Sequence, residues 1–320
     1  MNFKEICIIG YYGFGNIGDD AILIAALEEY INAYNIYVRI LVNDNSYIEK
    51  MLRRFSLDRN VALYNRWNLK QISEAIHYSE ALVFCGGGLF QDKTSIRSFL
   101  YYFSLALMAK LKRKKIIIER NSIGPLNTKI SRFLFHKVLE WVDYVSVRDR
   151  NSLDFLNQNY PQFAGKYLLK EDFVISPISS SIFKNTINVE EKYDLLFIIR
   201  KFPKVRNIIS LVKELEKIYR VKVMVFQQKD LEDFSDIFDV EYPGDGEIYN
   251  ALSIIQSSKL IISNRLHGII FALLRDKKVI GISIDPKIEG FCKDNNIDYV
   301  CEDDEDIESK VMLLVEKNLR

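Results

Sequence analysis

Short β-branched runs alternate with helical periods along almost the whole 320-residue chain, and no other feature limits its fold so strongly. Glu5–Ile9, Tyr37–Val42 and Tyr144–Val147 read as strands, as do residues 81–84 and 115–118. Helical patterns lie between them at residues 19–32, 95–112, 129–141 and 150–157. Strands separated by helix-length segments cannot pair as hairpins, so they form βαβ units in a mostly parallel sheet with helices on both faces. The alternation weakens from about Pro161 to Glu191, where Ser176-Pro-Ile-Ser-Ser-Ser181 and Lys184-Asn-Thr186 read as loop. It resumes with strands at 193–199, 221–226, 260–262 and 279–284. The expected fold is α/β, with two doubly wound domains facing a cleft. Residues 1–170 and 193–320 form the domains and 171–192 the linker region, and the last helix is free to pack back on the first domain. The length suits two cores of ordinary size.

Charge removes several function classes. Lys+Arg 44 against Asp+Glu 43 leaves a formal charge of +1, which argues against a nucleic-acid partner. The N-terminus lacks a signal-peptide layout, and no apolar run approaches the ~20 residues of a membrane span. Cys7, Cys85, Cys292 and Cys301 form no CxxC pair and no zinc spacing, so no metal is expected. Cys7 and Cys85 fall inside apolar strand patterns, as inert buried thiols do. The expected compartment is the reducing cytoplasm, and nothing in the sequence sets an oligomeric state.

Doubly wound sheets bind ligands on the loops after the C-terminal ends of their strands. The first such loop is Gly13-Phe-Gly-Asn-Ile-Gly18-Asp-Asp20, with Gly13, Gly15, Asn16 and Gly18 lining the expected cleft. It matches the dinucleotide fingerprint GxGxxG, and Asp44 could pose as the ribose-binding acid. Yet Asp19 and Asp20 would set two carboxylates against a pyrophosphate, and no Gly-Lys-Ser/Thr follows for ATP. Carboxylates beside a glycine-rich backbone suit sugar hydroxyls better. The next loop, Cys85-Gly-Gly-Gly88-Leu-Phe-Gln-Asp92, offers close backbone approach at Gly87 and Gly88 and polar partners in Gln91 and Asp92. Arg148 and Arg200 stand where later strands end. His77 and His136 lie in helical patterns. His267 instead opens a helix after strand 260–262, two residues from Arg265, and Lys287 belongs to the next βα unit.

Six of these elements, in this order, resemble the polysaccharide pyruvyl transferase family. They are Gly10-Tyr-Tyr-Gly-Phe-Gly-Asn-Ile-Gly-Asp-Asp20, Gly86-Gly-Gly-Leu-Phe-Gln-Asp92, Ile123-Gly-Pro125, Val147-Arg-Asp149, Arg265-Leu-His267 and Asp285-Pro-Lys287. The resemblance implies a glycosyltransferase-B-like fold of two Rossmann-like domains. It also implies transfer of pyruvate from phosphoenolpyruvate, as a ketal, to a saccharide of a cell-wall, capsule or exopolysaccharide polymer. Such acceptors are often lipid-linked and presented at the inner membrane face. The sequence departs from the family at Arg120-Asn-Ser-Ile123, where a further glycine is usual, and at Asp20, which replaces the Glu of a Gly-Asp-Glu element.

The chemistry suits these residues. A donor carrying carboxylate and phosphate calls for at least two cations, for which Arg265, Lys287, Arg148 and Arg200 are candidates. His267 suits the proton transfers, and Asp19 or Asp20 the acceptor hydroxyl. Phosphoenolpyruvate is then a co-substrate and no cofactor is needed. Three other readings compete: a nucleotide-sugar glycosyltransferase, an NAD oxidoreductase and a non-catalytic saccharide-binding protein. The helix at 98–108, followed by Lys110 and Lys112, reads first as a core helix with a solvated basic end. Its second reading is peripheral contact with anionic lipid at the inner membrane face.

Overall fold

The computed structural model describes residues 3–93, 95–184 and 189–319; Asn185 and Thr186 of the expected loop lie outside them. The chain forms two compact units. One comprises the chain up to Phe14 with Asp19–Ile182, the other Gly15–Gly18 with the chain from Phe183 onward.

Among the described residues the first unit is built on seven strands: β1 (Glu5–Ile9), β2 (Tyr37–Val42), β3 (Val61–Asn65), β4 (Ala81–Cys85), β5 (Lys115–Asn121), β6 (Tyr144–Val147) and β7 (Tyr167–Leu169). All pairings are parallel, in the order β3-β2-β1-β4-β5-β6-β7, so the winding reverses between β1 and β4. Its helices are α1 (Ile17–Leu27), α2 (Asn45–Arg54), α3 (Leu69–His77), α4 (Ile96–Leu111), α5 (Lys129–Trp141) and α6 (Arg150–Asn159). Five of them start at a short polar side chain that accepts from the first-turn amides: Asp44, Asn68, Ser95, Thr128 and Asp149. The sheet's position follows from burial. Every residue of β4 is buried, and its Phe84 joins Phe90, Phe99, Tyr102 and Phe135 in one aromatic core.

The second unit repeats the plan with β8 (Tyr193–Ile198), β9 (Val221–Met224), β10 (Val240–Glu241), β11 (Ser258–Ser263), β12 (Lys278–Ser283) and β13 (Tyr299–Cys301). They are parallel throughout, in the order β10-β9-β8-β11-β12-β13, and the winding reverses between β8 and β11. Its helices are α7 (Val205–Leu215), α8 (Ile248–Gln256), α9 (Leu266–Leu274), α10 (Pro286–Asp294) and α11 (Ile307–Leu319). The last of these, α11, packs on α7 and on β11, β12 and β13 of its own unit.

Both units are therefore doubly wound, as the alternation of the sequence requires. Four strands escaped the sequence reading: β3, β7, β10 and β13. Of these, β7, β10 and β13 are only two or three residues long, and all five residues of β3 are only half-buried, so none carries a strong apolar signature. Residues 15–18 also break the linear division. The Ile17 amide donates to the Phe226 carbonyl at 3.1 Å, and Asn16 bridges to Gln227, which is why they belong with the second unit.

Candidate active site

The reversal of winding sets a crevice at the C-terminal ends of β8 and β11, where doubly wound sheets hold ligands. Ser263 of β11 pairs with Ile198 of β8 and Gly281 of β12, so the residues after these strands emerge side by side. Asn264, fully buried, ties two of the ends together. Its Oδ1 accepts from the Arg200 amide at 2.8 Å, and its Nδ2 donates to the Arg200 carbonyl at 2.9 Å. Arg200 is thereby held beside Arg265, the residue immediately before α9.

Arg265 pairs with Asp230 and donates to Gln227 Oε1 at 3.4 Å. Asp230 is 5% exposed, so this ion pair is largely withdrawn from water. Being a pure donor, the Arg265 side chain cannot cap the amides that open α9, which leaves the positive end of that helix suited to an anion. Just past the neighbouring strand, Asp285 caps α10 and gathers two cations, Lys287 at 3.3 Å and Arg200 at 3.5 Å. Both cations are more than a third exposed and stay accessible to a ligand. The Arg200 Nε is buried and has no acceptor among the described residues. Among the described residues, three cations thus face two carboxylates here, an excess of one positive charge.

His267 stands in the first turn of α9 and touches Gly18. A Cβ built on Gly18 would lie 2.8 Å from the imidazole Cγ and still closer to Nδ1. Gly15, in the left-handed region at φ 63°, lies against Asp245 in the same way, its built Cβ 2.6 Å from Oδ1. The glycine loop therefore belongs to the same constellation as His267, through Gly15, Asn16 and Gly18.

The other predicted residues lie in the first unit. Asp19 is half-buried, and its Oδ1 is 3.6 Å from where a Cβ on Gly87 would stand. Gly87 has φ 72°, so that loop is left-handed and closely approached. Asp20 is fully buried and accepts from the Tyr47 hydroxyl. Gly13, with φ 78°, has its carbonyl held by Asn43 at 3.0 Å. Gly88 and the half-buried Gln91 follow in the β4 loop.

Two predicted residues have structural work. The Arg148 side chain is 4% exposed, paired with Asp172 at 2.6 Å and bonded to Ser122 Oγ at 2.9 Å. Its charge is already matched inside its own unit. Asp92 accepts from the amides of Asn127 and Thr128 at 2.7 and 2.9 Å, ahead of α5. Partial burial opposes ionisation of Asp92, but these bonds outweigh it and hold the carboxyl below its usual range.

Asn264, Asp230 and Gln227 were not legible as site residues. Asp230 lies in no motif and reaches Arg265 only because β9 and β11 flank β8. Among the described residues, no group of three His, Cys, Asp or Glu could hold a metal ion.

The arrangement is a cation-rich strand end with one histidine, abutted by a glycine loop that leads into an acid. Solved structures of like fold include S. aureus MnaA with UDP, at a TM-score of 0.67 and 13% identity over 99% of this chain and 89% of that one. Others are the UDP-GlcNAc 2-epimerases of Neisseria meningitidis, bound to UDP-GlcNAc (0.61, 13%, 98% and 91%), and Methanocaldococcus jannaschii (0.59, 13%, 99% and 93%). At such identities the likeness is one of fold, glycosyltransferase-B-like. No curated protein matches the sequence. The family model for polysaccharide pyruvyl transferase matches residues 16–286, from inside the glycine loop to the start of α10, and the chain belongs to that family.

Proposed function

We propose that the protein transfers pyruvate from phosphoenolpyruvate to a saccharide of a cell-surface glycan, forming a ketal and releasing phosphate. The observation that carries this reading is the meeting of His267, two residues past Arg265 at the opening of α9, with Gly18 of the glycine loop. Arg265, Arg200 and Lys287 hold the carboxylate and phosphate, aided by the α9 dipole. His267 delivers a proton to the methylene carbon, and one sugar hydroxyl adds to the central carbon, its proton passing back to the imidazole. The phosphate leaves with the electrons of its C–O bond. A second hydroxyl then closes the ketal, and its proton leaves on phosphate. Asp19, next to Gly18 in the chain and half-exposed, orients the acceptor hydroxyl; buried Asp20, bonded to Tyr47, supports the loop.

Incubation with phosphoenolpyruvate and candidate glycans tests the reading through phosphate release and a pyruvyl mass increment on the glycan. The fold's likeness to UDP-bound and UDP-GlcNAc-bound proteins favours a second reading, a nucleotide-sugar transferase. Release of UDP from a UDP-sugar, without turnover of phosphoenolpyruvate, would select it.

On the first reading a lipid-linked acceptor would be met on α4 and α5. Among the described residues no helix is long and apolar enough to cross a membrane. Yet Leu100, Leu107 and Leu111 of α4, with Ile130 and Phe133 of α5, are exposed large apolar side chains on packed neighbours. Exposed Arg97, Lys110 and Lys129 flank them, and no carboxylate pairs with these among the described residues. An apolar stripe edged by free cations suits the boundary of an anionic membrane.

A further inference from the structure

Arg66, just past β3, is 2% exposed, and no carboxylate pairs with it among the described residues. A buried guanidinium without a counter-charge is costly, so what surrounds it is informative. Its Nη1 donates to the Gly10 carbonyl at 2.7 Å and its Nη2 to the Tyr102 hydroxyl at 3.3 Å, while its Nε has no acceptor among the described residues. The remaining neighbours are π faces. The guanidinium carbon lies 5.1 Å from the Phe14 ring centre, 5.3 Å from Trp67 and 4.8 Å from Tyr101. Each such contact is worth roughly 0.5–2 kcal/mol and fixes a ring in place.

The rings so fixed are not closed off. Trp67 is 60% exposed and Tyr11, stacked on Phe14 at 4.1 Å, is 36% exposed. The Trp67 indole is held by Asn43 Oδ1 at 2.7 Å, and Asn43 in turn holds Gly13. A buried aromatic cluster would need none of this; a rigid, half-exposed aromatic surface at the C-terminal ends of β1 and β3 is where a doubly wound sheet presents a ligand. Asp19 is within electrostatic reach. The Tyr11 hydroxyl is pushed up by burial first and by the Asp19 carboxylate second.

We propose that Tyr11, Phe14 and Trp67, set around Arg66, form a stacking shelf for a pyranose ring of the acceptor. The carbon-bound hydrogens of a sugar face are weakly positive and match the negative face of an aromatic ring. The unmatched charge of Arg66 favours the electron-rich side of that sugar, its hydroxyl oxygens or a uronate. The inference deepens the proposed function and rests on it for the identity of the acceptor, but the shelf can be tested apart from the chemistry.

Trp67 and Trp141 are the two tryptophans of the chain, so Trp141→Phe isolates the emission of Trp67. Titration of that variant with neutral oligosaccharides of glucose, galactose and N-acetylmannosamine, and with their glucuronate-containing counterparts, should change its emission, more strongly for the acidic set. In the otherwise native protein, Trp67→Ala should raise the acceptor KM at least tenfold and leave the phosphoenolpyruvate KM within twofold, while Trp67→Phe restores most of it. Transfer with an acceptor KM unmoved by Trp67→Ala overturns the shelf and leaves the transferase reading standing. Saccharide-dependent emission without any turnover of phosphoenolpyruvate keeps the shelf and overturns the transferase reading. If neither emission nor KM responds to any saccharide, the shelf is wrong.

Discussion

The imidazole of His267 fills the space in which a side chain at position 18 would begin. Gly18 is not in the left-handed region, so its backbone would tolerate alanine and only the collision forbids it. Gly18→Ala should therefore displace the ring without unfolding the chain. Overpacking costs about 1–3 kcal/mol, and a displacement near 1 Å lowers turnover by about 10²-fold. Phosphate-release kinetics beside a thermal melt check it; full activity in a stable variant would remove Gly18 from the site.

His267→Ala should lower kcat by roughly 10²–10⁴-fold, the usual weight of a general acid or base, with the phosphoenolpyruvate KM little changed. A loss smaller than about tenfold in steady-state assays would reassign the proton transfers.

Arg265 has two tasks that a pair of variants separates. Arg265→Ala strands the nearly buried Asp230 carboxylate and should cost about 3–5 kcal/mol of stability as well as donor binding. Adding Asp230→Asn should recover much of the stability, read by denaturant titration, but none of the phosphoenolpyruvate binding, read by calorimetry. Recovery of both would make the pair structural.

Burial pushes the thiols of Cys7, Cys85 and Cys292 up to about 12. The thiolate is the reactive form, so at pH 8 these three should resist iodoacetamide and half-buried Cys301 should react first, as peptide mass mapping would show. The sign for stability follows. Protons held more tightly when folded favour the fold below the ordinary thiol range, and that contribution is lost as pH rises from about 9 towards 12.

Leu111→Glu with Phe133→Glu should abolish flotation with phosphatidylglycerol vesicles while leaving turnover of a soluble acceptor unchanged. Binding by the native protein should weaken with salt, because screening acts on Lys110 and its neighbours. Native protein that stays with the soluble fraction at low salt would exclude the membrane surface.

The linear chain determined a good deal by itself. Parallel strands need long crossovers, so β-branched runs spaced by helical periods could only become doubly wound sheets, and the ligand loops follow from that geometry. Arg265, His267 and the glycine loop were legible as candidates because each sits where a strand ends. The partners that give them their chemistry were not. Asp230 lies 35 residues from Arg265, and Asn264 ties back to Arg200 across 64. Arg148 shows the converse: a strand-end arginine whose charge Asp172 already matches. Nor could the sequence show that residues 15–18 fold with the second unit, or that Arg66 lies buried among rings rather than in solvent. Strand order and loop path decide such pairings, and both are set by packing between segments far apart in the chain, which local periodicity does not encode.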